Sequence, residues 1–447
     1  MNKNMCDGPI LRKMIFFAVP LMFSGIFQRM FVMADSIILG RFAGSEALAA
    51  VGSTGSLIDM LIDLFIGLSV GVNILVSRYC GAAQKKELKE TVHTAIATAI
   101  ISGGILVVIG ALYAESLLRF MGTPKDIIHK ASVYMRIYFC SMPAMMIYNF
   151  GSAILRAFGD SKKPLYFLVA GGIIKTLLSL LFIVGLHMDV EGAALTTVIS
   201  QMISALLVIC CLIKQNSEVR LNLRKIKLIP NKFFKILSIG IPAGLQAILF
   251  SLTNVLIQSS VNTFGSVTVA GNSAAINLEN FVHASMDAVT QTAICFSGQN
   301  YGARQYKRIG KVLILSQFMV IGVGFSIGQT MHLFSDKLLL MYSTDPEVIV
   351  YGKIRMSFVC ANYFLCGIMN VLSGVLRGSG YSLMPTVISL LGACAVRILW
   401  ITFIFERHRT LECLYLSFPV SWIITISALL CCFMYGYRKL LRKEITQ

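Results

Sequence analysis

Apolar residues follow one another along this chain in stretches of about 20 or more, broken by short polar segments. Wound as a helix rising about 1.5 Å per residue, a stretch of that length crosses a bilayer core of about 30 Å. Twelve spanning helices are predicted, at residues 14–36, 48–77, 91–114, 131–155, 164–187, 191–213, 233–259, 268–297, 309–332, 349–376, 385–405 and 413–437. The largest polar gap in the series runs from Lys214 to Lys235 and holds Pro230 and a run of basic residues, with six spans on either side. The expected organisation is an N-terminal lobe at 1–213, a basic linker at 214–235 and a C-terminal lobe at 236–447.

The two lobes repeat each other at an offset of 221 residues. Leu155, Arg156, Gly159, Ser161 and Pro164 recur as Leu376, Arg377, Gly380, Ser382 and Pro385, and Gly81-Ala82-Ala83-Gln84 recurs as Gly302-Ala303-Arg304-Gln305. Gly44-Ser45 recurs as Gly265-Ser266. Six spans per copy return the chain to its starting side, so the repeats are parallel, related by an axis along the membrane normal. The expected fold is an all-α membrane protein of twelve transmembrane helices in two pseudosymmetric six-helix bundles. Repeats of this kind are characteristic of transporters, with a substrate site enclosed between the copies.

Composition fits this reading, since 56% of residues are hydrophobic and only 13% are charged, too few charges to clothe a soluble body of this size. The net charge of +18 is concentrated on one set of loops. Lys3, Arg12 and Lys13, Arg78 with Lys85 to Lys89, the linker, Arg304 to Lys311 and Arg438 to Lys443 all fall on the side of the termini. Both termini are therefore expected in the cytoplasm of a multi-pass protein of the inner membrane, with the basic loops against anionic lipid headgroups. The charge reads as topology rather than as nucleic-acid binding. The twelve cysteines show no metal-ligand spacing, and no nucleophile motif or phosphate loop is present, so an enzyme is not expected.

Ionisable residues inside spans are costly and must face a cavity or a partner. Asp59 and Asp63 in span two are four apart, and Glu279, His283 and Asp287 in span eight step by four twice, so each set occupies one helical stripe. Spans two and eight are repeat partners, and four carboxylates with aromatic residues would suit an organic cation. The plainer alternative is that some of these carboxylates cap helices or pair with Lys and Arg. Gln28 lies seven residues before Asp35, and Asn254 four before Gln258, two polar faces at equivalent places that suit helix-packing hydrogen bonds. Arg397 in span eleven is a basic position expected to pair with Glu279 or Asp287.

Taken together, Pro20, Gln28, Asp35, Gly40 and Leu48-Ala49-Ala50-Val51-Gly52, Val76-Ser77-Arg78 before Gly81-Ala82, Gly298-Gln299-Asn300-Tyr301-Gly302-Ala303 and the paired Leu-Arg-x-x-Gly motifs resemble the multidrug and toxic compound extrusion transporters over nearly the whole chain. The resemblance implies a secondary antiporter exporting organic cations by alternating access, with Asp35 as the cation-coupling residue. It also places a fifth-helix Asn, an Asp four residues on and a sixth-helix Thr beside that aspartate; counted from Pro164, these positions read Lys175, Ser179 and Thr197. A lysine there would stand where a coupling cation binds. An Asp35–Lys175 pair is therefore expected to favour H⁺ over Na⁺, with no other cofactor and a monomeric protein, although Lys175 could instead snorkel toward headgroups. Acidic positions that some members carry in helices seven and ten read Phe250 and Cys366. The alternative function is a flippase for a lipid-linked saccharide or other anionic amphiphile, held by Lys175 and Arg397.

Overall fold

A computed structural model describes residues 5–215 and 220–445, which are helical nearly throughout, with no strand among them. Lys3 lies outside the described residues. In chain order the helices are α1 Ile10–Phe42, α2 Ser45–Gly81, α3 Lys85–Phe120, α4 128–157, α5 Lys162–Gly185 and α6 Val190–Ile213. The second set is α7 Pro230–Asn262, α8 Ser266–Gly302, α9 Tyr306–Leu333, α10 Pro346–Gly378, α11 Leu383–Phe405 and α12 Leu411–Ile445. Ten are long and apolar enough to cross a membrane. The other two are α4, which is broken, and α8, whose Asn272, Glu279, His283 and Asp287 dilute its hydropathy.

The repeat is visible in backbone geometry as well as in residue type. Helix α4 breaks at Cys140-Ser141, where Pro143 in the first turn of the next segment has no N–H to continue the ladder. Helix α10 breaks at the equivalent Ala361-Asn362 without any proline, after a wide π-type turn over Met356–Cys360. Gly44 and Gly265 hold φ of 93° and 97° before α2 and α8, and Gly159 and Gly380 hold 85° and 107° after α4 and α10. These left-handed positions are why the glycines recur.

Packing divides the described residues into two units at points other than the linker: one is Ile26–Gly244, and the other takes those up to Gly25 and from Leu245 on. The linker is therefore not the boundary between packed bodies, and α1 and α7 are each split. The first half of α1 belongs with the second unit because Met14, Phe17 and Leu21 are buried against Ala288, Phe296 and Val312. Phe17 meets Phe296 edge to face at 6.0 Å. The first half of α7 belongs with the first unit because paired glycines let two backbones touch: a Cβ on Gly67 would lie 2.3 Å from the Gly244 nitrogen, and one on Gly71 2.7 Å from the Ile236 carbonyl. The linker also lies on this unit. Its Asn222 N–H donates to His93 Nε2 at 3.1 Å, and His93 Nδ1 donates to the Lys89 carbonyl at 2.7 Å.

Gly67→Ala is expected to lower stability by at least about 2 kcal/mol, because the atom it meets is backbone and has no rotamer with which to yield. Thermal unfolding in detergent measures this. A transition within a degree of wild type would show that α2 and α7 do not approach this closely.

Candidate functional site

In the first unit α1, α5 and α6 meet at Asp35. Lys175 and Ser179 are one turn apart on α5 and so share a face. Lys175 Nζ forms an ion pair with Asp35 Oδ2, with about a fifth of each side chain exposed. Ser179, 1% exposed, donates to Asp35 Oδ1 at 3.2 Å, and its Oγ is also 3.2 Å from Thr196 Oγ1 on α6. Both carboxylate oxygens are thus engaged. The helix widens into a π turn at Leu180–Gly185, directly after Ser179.

Proton counting constrains this chain of oxygens. Thr196 Oγ1 also lies 2.9 Å from the Ala193 carbonyl. Two hydroxyl hydrogens serve three contacts, so an ionised Asp35 takes the Ser179 hydrogen and Ser179 in turn can accept only from Thr196. Thr197, the threonine expected at this site, donates instead to Ala193 of its own helix at 3.0 Å. Consecutive residues on a helix point about 100° apart, and the one that faces α5 is Thr196. Asp59 is exposed and Asp63 half-buried on α2, and among the described residues no ion pair closes on either. Gln28 is exposed and makes none of the side-chain hydrogen bonds expected of it.

The second unit is built differently. Glu279 is 3% exposed, and both its oxygens are held by Arg355 of α10, Nε to Oε1 at 3.0 Å and Nη2 to Oε2 at 2.8 Å. Arg355 Nη1 also donates to Asn272 Oδ1 at 2.9 Å, which accepts from the Tyr415 hydroxyl at the same distance. Asn272 donates to Gln258 at 2.7 Å, closing a polar network through α7, α8, α10 and α12. Glu279 is consequently a packing ion pair and not a cavity wall, and Arg355, not Arg397, is its partner. Asn272 was detectable as the residue two turns before Glu279 on the same face. His283 lies edge-on to Tyr363 at 6.2 Å, while Asp287 and Asn254 are exposed. Asn254 does not make the packing bond expected of it; Gln258 does.

Arg397 pairs with neither expected acid. Its Nε donates to Ser421 at 2.9 Å, and its guanidinium lies 4.2 Å from the Phe418 ring centre and 5.6 Å from that of Trp422. Among the described residues no carboxylate is within ion-pair distance of it.

Comparison with known proteins bears on what such an arrangement serves. The MatE family model matches residues 20–181 and 242–401, more than half of the chain and one match in each repeat. The chain belongs to the MatE family. It is therefore a multi-pass membrane transporter and not an enzyme. This MatE chain is 28% identical to the probable multidrug resistance protein YoeA of Bacillus subtilis, over 98% of its own length and 96% of the relative's. It is 23% identical to the multidrug export protein MepA of Staphylococcus aureus, over 95% and 92%. Its fold is similar to that of a multidrug resistance MATE family transporter of the MOP superfamily solved in an outward-facing conformation, with a TM-score of 0.89 at 20% identity over 98% and 97% of the two chains. A MOP superfamily transporter from Pyrococcus furiosus, described as having a binding pocket of reversed polarity, superposes with a TM-score of 0.90 at 20% identity over 98% of each chain.

Proposed function

We propose that this MatE transporter is a multidrug exporter that drives organic cations out across the cytoplasmic membrane in exchange for protons taken up at Asp35. The observation that carries the reading is the Asp35–Lys175 ion pair, which places a fixed ammonium where a coupling metal cation would otherwise bind. A sodium ion meets repulsion there, whereas a proton needs no room. Protonation of Asp35 discharges the pair and supplies the missing hydrogen: the carboxyl can donate to Ser179, Ser179 becomes free to donate to Thr196, and Thr196 keeps its bond to the Ala193 carbonyl. Lys175 is then without its counter-charge, and α1 and α5 lose the contact that joins them. That loss is the coupling step. The open carboxylates Asp59 and Asp63 on α2 of the same unit supply the negative charge an organic cation would seek.

The basic flanks favour cytoplasmic termini, with the linker lysines and arginines facing anionic headgroups, and the proposed cycle asks for no second chain. Proteoliposomes loaded with a cationic dye test the coupling ion. An imposed pH gradient should energise dye movement and an equal Na⁺ gradient should not. Lys175→Ala is expected to make transport responsive to Na⁺, because Asp35 is then free to take a metal cation; sodium-driven transport in wild type that survives this change unaltered would overturn the role given to the lysine.

A further inference from the structure

The second unit buries two guanidinium groups around one aromatic ring and supplies a single carboxylate to them. Arg355 lies 5.4 Å from the Phe418 ring centre and Arg397 4.2 Å, on a ring that is itself 6% exposed. Glu279 spends both oxygens on Arg355. Arg397 is 6% exposed and keeps only the Ser421 hydroxyl and the faces of Phe418 and Trp422. Its two terminal nitrogens have no acceptor among the described residues, and neither is an atom sealed from accessible surface. Buried charges are normally paired, and a guanidinium presents a planar fork matched to an oxyanion.

The backbone aims this residue. Arg397 sits in a four-residue α-turn, Val396–Leu399, between two π turns at Leu390–Ala395 and Trp400–Phe405. Such turns rotate the following side chains out of the regular helical register and recur at functional sites. Near the guanidinium lie Tyr363, which meets Trp422 edge to face at 5.5 Å, and the half-buried Cys366, whose sulfur accepts from Asn370 at 3.7 Å. The rings and the thiol bring no carboxylate to the guanidinium.

We infer that Arg397 is the seat of an oxyanion, a carboxylate or phosphate carried on an amphipathic body whose apolar part lies against Tyr363, Phe418 and Trp422. The site deepens the export reading by giving the second unit a seat for negative charge, whereas the first offers Asp59 and Asp63 to a positive one. It rests on that reading only in taking the bound body for a transported one.

Equilibrium binding to the purified full chain tests it without any gradient. Rhodamine B carries a free carboxylate and its ethyl ester does not, so fluorescence polarisation of the two dyes isolates the anion. The acid should bind wild type more than about tenfold tighter than the ester, and Arg397→Gln should erase that difference while leaving the ester's affinity unchanged. Arg397→Lys keeps the charge but not the fork and should fall between. The lipid source is probed by competition with dihexanoyl phosphatidic acid against neutral dihexanoylglycerol. An Arg397-dependent preference for the acid dye marks a soluble solute, and one confined to phosphatidic acid marks a lipid; either upholds the site. Equal binding of acid and ester to wild type, with no preference for phosphatidic acid, overturns it, and this comparison holds even where the Arg397 variants do not fold. Asp35→Asn should leave the acid preference intact, so loss of coupling and loss of this site are separable.

Discussion

Asp35→Asn is expected to abolish the proposed proton-driven dye efflux and also to destabilise the protein. The first effect follows because asparagine cannot take up and release a proton. The second follows because Lys175 keeps its position without a counter-charge. Removing one member of a buried ion pair costs about 3–5 kcal/mol, but this pair is a fifth exposed, so about 1–3 kcal/mol is expected. The two consequences separate in the double variant Asp35→Asn with Lys175→Met, which buries no unpaired charge. Its thermal transition should return most of the way to wild type while efflux stays at background. Recovery of efflux together with stability would show that the pair is structural and that coupling lies elsewhere.

Glu279→Gln is expected to lower stability by about 3–5 kcal/mol, with no specific effect on transport. Arg355 and Glu279 are 7% and 4% exposed at their side chains, so the stranded guanidinium has no water to turn to. The network through Asn272 and Tyr415 loses its anchor at the same time. Thermal unfolding of Glu279→Gln, and of Glu279→Gln with Arg355→Gln, measures this. The double variant should recover at least half of the loss, and transport per folded molecule should stay near wild type in both. A variant that unfolds normally yet fails to transport would return Glu279 to the substrate path.

The spans, the repeat and its turns were legible because each rests on one-dimensional information. Apolar run length marks a helix that must cross about 30 Å, and a glycine held at positive φ, as at Gly44 and Gly265, recurs wherever the same turn recurs. The Asp35, Lys175 and Ser179 positions could be read from the resemblance together with the one-turn spacing on α5. What escaped was orientation. Glu279 and Asp287 share a stripe by spacing, but eight residues of helix cover about 12 Å, enough for one end to be sealed in the core and the other exposed. Thr196 and Thr197 are neighbours in sequence and face different ways. Arg355, 76 residues from Glu279, carries no signal of its partner, because pairing across α8 and α10 is set by how two helices rotate against each other. The same holds for Arg397, whose aim is fixed by two π turns that no residue pattern announces. Packing likewise divides α1 and α7 where the repeat does not, because small residues at Gly67, Gly240 and Gly244 decide which backbone each half-helix touches.

The proposed exchange of a substrate cation for a proton at Asp35 predicts that dye binding releases a proton from the free protein. Purified protein in weakly buffered detergent, at a series of pH values, is mixed with a saturating cationic dye beside a pH indicator. A pH-dependent release that reaches but does not exceed one proton per molecule in wild type, and none in Asp35→Asn that still binds the dye, is the predicted result. Dye binding that releases no proton at any pH, or the same release from Asp35→Asn as from wild type, would contradict the account.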